Sequence, residues 1–325
     1  VKGLAAAIVV VAVLAVISLF IGVGDVSLHA LFYSRESVDG SPGSALELLL
    51  VSRIPRTIAI VLAGMSMAVA GMIMQMLTRN RFVEPSTAGT VESASLGILL
   101  VILFAPEAPL FVKMLVASVT AVAGTALFLR ILRSIPLRSV LVVPLVGIML
   151  GGVVSAITTF IAYRFDLLQS LNSWTTGDFS GVLRGRYELL WIAFALTVVA
   201  YIAADRFTVA GLGEDFTTNL GLNYRRVVTL GLIIVSMVSA SVVVTVGMIP
   251  FLGLIVPNVV SMFVGDNMRR ALPWIAVLGA GLVLACDIAG RLIRFPYEIP
   301  IGTMMGVVGS VIFLYLLLRR GSRLA

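Results

Sequence analysis

Long apolar runs, each closed by a short polar or arginine-bearing break, repeat along the whole chain. Ten stand out, at residues 4–23, 54–77, 87–105, 109–130, 139–163, 189–204, 226–248, 250–264, 272–290 and 299–318. Most approach the length at which a helix rising about 1.5 Å per residue crosses a hydrocarbon core about 30 Å thick. Lipid offers the backbone no hydrogen-bond partners, so such runs are expected as helices and not as strands of about 10 alternating residues. The pattern predicts an all-α polytopic membrane protein of ten transmembrane helices, one transmembrane domain over residues 1–325. The eighth run is short and holds Pro257 and Asn258, which predicts a tilted, broken or re-entrant segment. The first run follows Lys2 without a small-residue cleavage site and reads as a retained span, with the start at Val1 expected to reflect an initiator Met outside this numbering.

Composition agrees with the pattern: 60% of residues are hydrophobic, 12% are charged, and the mean hydropathy is +1.11. Charge then orients the spans. Ten crossings put both termini on one side, which receives fourteen of the 23 Lys and Arg residues, against nine on the other. The positive-inside rule makes the richer side cytoplasmic. The opposite face is still rich in arginine, explained either by snorkelling at helix ends or by a docking surface for an acidic partner.

In this orientation the longest cytoplasmic break runs from Asp205 to Arg226. Gly211 and Gly213 permit a sharp turn out of the preceding helix. Glu214 and Asp215 favour the N-terminus of a short following one, and Leu220-Gly221 suits its C-terminal cap. Residues 205–226 are therefore either a plain connecting loop or a folded element that another protein grips.

Several chemistries are excluded. Cys286 is the only cysteine and His29 the only histidine, so an intrachain disulfide or a cage of Cys and His ligands is impossible. The only lysines are Lys2 and Lys113, and neither completes a glycine-rich phosphate loop, so the chain is not its own P-loop ATPase. Ionisable residues are scarce in the middles of the spans, which counts against ion-coupled transport. Glu92 is the nearest exception and is expected as an interfacial carboxylate paired with an arginine. Asp287 and Arg291 are four apart, a pair worth about 0.2–0.5 kcal/mol on an exposed helix. Gly22-Val23-Gly24-Asp25 matches part of an intramembrane aspartyl protease motif, but no second motif aspartate accompanies it. Gly147/Gly151 and Gly302/Gly306 are expected to let helices approach closely. Met65, Met67, Met72, Met74 and Met76 suit either adaptable core packing or the lining of a path for a bulky ligand.

One ordered set of motifs carries a resemblance. Ser52-Arg53-Ile54-Pro55-Arg56-Thr57 is followed by Ala70-Gly71, Gln75, Arg79-Asn80 and Glu84-Pro85. Further on come Gly213-Glu214, Leu220-Gly221, the segment Pro250 to Pro257, Asp287 with Arg291, Glu298 to Gly302, and Phe313 to Leu317. From about residue 50 onward the chain resembles the FecCD-type permease subunits of ABC importers for iron-siderophores and cobalamin.

The resemblance implies a type II ABC importer permease in a bacterial cytoplasmic (inner) membrane. It moves a ferric siderophore inward by alternating access, with a second permease, either another copy or a related chain, forming a dimer around the path. Two ATP-binding subunits carry ATP and Mg, so no cofactor is expected on this chain, and an extracytoplasmic siderophore-binding protein docks above; the other partner is the lipid bilayer, with no nucleic acid. Gly213, Glu214, Asp215, Leu220 and Gly221 match the family's ATPase-coupling helices. Arg53, Arg56 and Arg291 match arginines that face acidic residues on the binding protein. Met72, Gln75 and Asn258 are the path candidates. Asn258 departs from the family's usual histidine, and with the wording of the Ser52 and Arg79 segments it looks closer to permeases for catecholate siderophores such as petrobactin. The competing expectation is a secondary transporter driven by an ion gradient, and a membrane enzyme is remote.

Overall fold

A computed structural model describes residues 2–22, 45–135 and 142–321. Asp25, His29, Arg35, Arg138 and Arg323 lie outside the described residues. Among the described residues, six helices are long and apolar enough to cross a membrane, and a seventh candidate is the pair Leu190–Ile202 and Ala204–Ala210, bent by 67° at its break. Three shorter apolar helices, Thr90–Phe104, Leu252–Val264 and Ile301–Leu316, complete the set. Each of the ten predicted runs meets one of these segments, so length and apolarity alone located them.

The helices are α1 (Lys2–Phe20), α2 (Ile54–Thr78), α3 (Thr90–Phe104), α4 (Leu110–Ser134), α5 (Val142–Arg164), α6 (Leu168–Thr175), α7 (Leu190–Ile202), α8 (Ala204–Ala210), α9 (Glu214–Asn219), α10 (Tyr224–Val246), α11 (Leu252–Val264), α12 (Met268–Ile293) and α13 (Ile301–Gly321). A short turn at Ala45–Leu48 and a widened π-helical stretch, Leu49–Arg53, lead into α2, whose first turn contains Pro55. That placement is favourable, because a first-turn N–H has no intrahelical acceptor to lose. The eight-residue α6 was not anticipated; it is too short for a hydrophobic period to stand out.

The centre of the molecule is α2, which packs against α12, α11, α10 and α7. In its most apolar window 83% of residues are buried, against 6% for α1, which lies along α12 at the periphery. Close backbone approach makes this packing possible. A side chain at Gly71 would overlap the Gly253 backbone on α11, and one at Gly64 would come 2.8 Å from the Gly279 carbonyl on α12. Small residues at crossings let helices gain dispersion contacts where lipid supplies no hydrophobic drive.

The predicted glycine pairs behave differently. Gly147 packs on the Thr87 carbonyl, Gly151 on the Glu92 side chain and Gly302 on Gly177, while Gly306 faces open space within the chain. Gly147 thus lets α5 approach the backbone of the short 3-10 helix Ser86–Ala88, Gly151 makes room for a carboxylate of α3, and Gly302 accommodates a connecting loop.

The segment with Pro257 is one continuous helix, α11, and is not broken. A proline cannot donate to the carbonyl four residues before it, which here is Gly253. The Gln75 side chain of α2 fills the vacancy, its Nε2 donating to the Gly253 oxygen at 3.1 Å. An orphan carbonyl in a buried helix is thus answered from the neighbouring helix, which keeps α11 intact.

Candidate functional site

The N-terminal end of α2 meets the C-terminal ends of α1 and α12 in a buried ion-pair network. Arg56 donates to Asp287 Oδ1 and to Glu298 Oε2, both at 2.7 Å. Arg291 donates to Asp287 Oδ2 at 2.5 Å, to the Ser18 carbonyl at 3.0 Å and to the Ile21 carbonyl at 2.8 Å. Those carbonyls belong to the end of α1, where a cation complements both the unsatisfied oxygens and the negative pole of the helix. Arg53 also donates to the Ile21 carbonyl, at 2.5 Å. Three arginines against two carboxylates leave the cluster with one net positive charge.

This placement bears on all three predicted docking arginines. The structure brings them together, but Arg56 and Arg291 are 8% and 3% exposed with their guanidinium groups turned inward. Only Arg53 keeps partial exposure. The Asp287–Arg291 contact is also more than the exposed i,i+4 pair expected from spacing, because Asp287 is 4% exposed and shared with Arg56. Removing one member of such a buried group typically costs about 3–5 kcal/mol, since it strands the others.

The middle of the molecule contains a second polar knot. Glu84, in the connection after α2, accepts from the Phe251 amide at 2.9 Å and from Ser86 Oγ at 2.6 Å. Its carboxyl sits at the start of α11, where unpaired amides favour an anion. Burial pushes its pKa up, and the donated hydrogen bonds from Ser86 and the amides of Phe251, Leu254 and Gly253 only partly offset this. Asn258 Nδ2 donates to the Arg81 and Leu254 carbonyls, each at 2.7 Å, clamping the same connection onto α11. Glu92 has no arginine partner: among the described residues its Oε2 is buried without a hydrogen bond, beside Gly151. The expectation of a paired interfacial carboxylate fails because α5, packed over it, presents glycine there.

Of the path candidates, Met72 and Gln75 line a cleft of about 410 Å³ that also touches Arg79, Arg81, Gly211 and Asp266. Asn258 does not line it and is committed to the clamp just described. The methionines of α2 belong to, or pack against, the main core cluster, and Met72 and Met76 also reach the cleft. Packing and lining are therefore shared by the same side chains.

At this end of α2 lies the predicted polar element. After the 67° bend, α8 leads through Gly211 to Gly213, which adopts φ 117° and starts α9 at Glu214. Gly221 follows at φ 77°, closing α9 as the cap residues predicted. Thr217 is fully buried and donates to the Gly213 carbonyl at 2.6 Å. Glu214 and Asp215 are exposed in the first turn of α9. The element is pinned to α12 by Asp205–Arg269 at 2.5 Å and by the Met268 amide donating to Thr208 Oγ1 at 3.2 Å. The Arg79 guanidinium lies over Gly213, only 3.0 Å from where a β-carbon would sit.

Motif reading singled out Leu220 but passed over Leu212 and Phe216. Leu212, Phe216 and Leu220 are 60%, 63% and 61% exposed, outside the apolar spans and spaced four residues apart. The spacing was a visible signal, obscured because the flanking glycines and acids dominate the segment.

Comparison with known proteins now decides the family. The FecCD transport family model matches residues 9–319. The chain belongs to the FecCD transport family. It is 54% identical over 308 residues to the petrobactin import system permease protein YclN of Bacillus subtilis (strain 168), covering 95% of each chain. It is 45% identical over 314 residues to the petrobactin import system permease protein FatD of Bacillus anthracis, covering 97% of this chain and 90% of that one. Among solved structures it superposes on a metal-chelate type ABC transporter in an inward-facing conformation, with TM-score 0.80, 25% identity and coverage of 98% and 99%. This FecCD protein is accordingly an all-helical, multi-pass membrane protein with the architecture of an ABC importer permease.

Proposed function

We propose that the chain is the transmembrane permease subunit of an ATP-driven importer that passes a ferric siderophore of the petrobactin type from a soluble binding protein into the cytoplasm. The substrate class rests on the names of its relatives YclN and FatD. The observation that carries the ATP-driven reading is the exposed trio Leu212, Phe216 and Leu220 on a short element held rigidly outside the spans. A solvent-facing apolar group of this kind, rimmed by Glu214 and Asp215, suits a protein partner. In this reading the chain crosses the membrane ten times with both termini cytoplasmic, pairs with a second permease, and rests on two ATP-binding subunits that hold ATP and Mg.

Closure of the ATPases would displace α9. Thr217 fixes α9 to the α8 connection, and α8 is tied to α12 through Asp205 and Thr208 and packs against α2. The displacement would then pass to α2 and α12 as one body, tilting the helices that carry the cleft. On the outer face, Arg53, Arg56 and Arg291 act as a group: the network holds a surplus positive charge, and Arg53 meets the carboxylates of the binding protein. Gly213, Glu214, Asp215, Leu220 and Gly221 form the coupling element with Leu212 and Phe216; Met72 and Gln75 flank the path, and Asn258 acts behind it by holding the connection after α2 onto α11.

The test is uptake by the complete complex in liposomes, with ATP inside and a ferric catecholate siderophore on the binding protein outside. ATP-dependent accumulation that disappears in a Phe216→Ser, Leu220→Ser variant is expected. Accumulation driven by an ion gradient without ATP would overturn the reading.

A further inference from the structure

The surface between the ends of α4 and α10 has no assigned role, yet it combines charge and apolar space in one groove of about 520 Å³. The two helices run antiparallel and pack along their length, so the last turns of α4 meet the first turns of α10. Arg130 and Ser134 enter the groove from α4, Arg225 and Thr229 from α10. Neither arginine takes part in an ion pair or a hydrogen bond from its side chain among the described residues. The first turn of α10 carries no acidic residue, so Arg225 adds to the positive pole of its helix instead of being offset. Leu129, Val228 and Leu232 form the apolar wall, and Leu127 and Ile233 continue exposed along the same helices toward the apolar interior.

We propose that this groove holds an anionic phospholipid, its phosphate between Arg130 and Arg225, and an acyl chain along the Leu127 and Ile233 faces; the Ser134 and Thr229 hydroxyls donate to the Arg130 and Arg225 carbonyls, so the two guanidinium groups carry the headgroup. Two arginines on a solvated helix end would ordinarily point apart into water. Here both line one groove together with Leu129, Val228 and Leu232, and that pairing of two cations with an adjoining apolar lane matches a lipid more closely than a free anion. Basic pockets between spans at the cytoplasmic end are suited to such headgroups. The proposal goes beyond the import reading and needs nothing from it except the leaflet, which follows the arginine asymmetry. An occupant here would brace the end of α10 that immediately follows the coupling element.

Delipidated full-length protein in neutral detergent, titrated with phosphatidylglycerol or phosphatidylcholine and read by native mass spectrometry, tests this directly. Phosphatidylglycerol is expected to bind at least about tenfold more tightly, and Arg130→Gln with Arg225→Gln to abolish that preference, as two lost arginines require. Arg270→Gln, an exposed arginine outside the groove, should keep it. Ala126→Trp, at an exposed position lining the groove, should also displace the lipid with both arginines intact, which guards against a misfolded double variant. Equal binding of the two lipids, an unchanged preference in the double variant, or displacement by inorganic phosphate would overturn the proposal. So would loss of the lipid when the ATP-binding subunits attach through these same arginines, since that would assign the groove to a protein.

Discussion

The two ends of α2 solve opposite problems. At its N-terminal end charge is hidden: Arg56, Asp287 and Arg291 are buried and satisfy one another and the end of α1. At its C-terminal end apolar surface is shown: Leu212, Phe216 and Leu220 stand exposed beside a cleft. Buried charge must be matched within the chain or it destabilises the fold, whereas exposed apolar surface can wait for a partner. The first end should therefore respond to mutation as stability, and the second as association.

The sharpest break of that contrast is Asp287→Ala, which strands Arg56 and Arg291 together. It should cost about 3–5 kcal/mol, seen as a large drop in the thermal midpoint in detergent and in the yield of monodisperse protein. A variant of wild-type stability would mean that the network is ornamental. Next comes Phe216→Ser with Leu220→Ser. Folding should change by no more than about 0.5 kcal/mol, as for surface sites, while affinity for the ATP-binding subunits falls by about 2–4 kcal/mol if these are anchor residues. Calorimetric titration of the purified subunits would show it, and equal affinity would move the contact elsewhere.

Gly213→Ala sharpens the link between the ends. Its φ of 117° is one that side-chain-bearing residues rarely adopt, so about 1–3 kcal/mol of strain is expected. The nearby Arg79 head is flexible and can step aside, so that contact adds little. More ATP should be hydrolysed per siderophore delivered, and an unaltered ratio would detach Gly213 from coupling. The smallest effect is expected for Arg53→Glu, the partly exposed member of the arginine cluster. Exposed pairs are worth about 0.2–1 kcal/mol, so binding-protein association should slow mainly at low ionic strength. Rates that match wild type at every salt concentration would leave no docking role for this arginine.

Much of this was legible in one dimension. The ten runs found their helices because lipid forces a span to be long, apolar and self-bonded, constraints that are local to each segment. The short helix Glu214–Asn219 was legible too, since Gly213, Glu214 and Gly221 encode a turn, a start and a stop by backbone geometry and dipole alone. The buried arginine cluster was less so. Motif matching grouped Arg53, Arg56 and Arg291, but nothing in their spacing says that Glu298 and the end of α1 lie within reach of them. Likewise Gln75 lines the cleft, and nothing in its spacing says that its amide also answers a carbonyl orphaned by a proline far along the chain.

Length, apolarity and local cap chemistry thus defined where the chain crosses the membrane and where it emerges, because each acts within a few turns of helix. The tertiary structure decided which polar groups face a partner and which face each other. That choice depends on contacts across as many as 273 positions, as between Ser18 and Arg291. Burial then converts such a contact from a weak surface pair into a condition for folding.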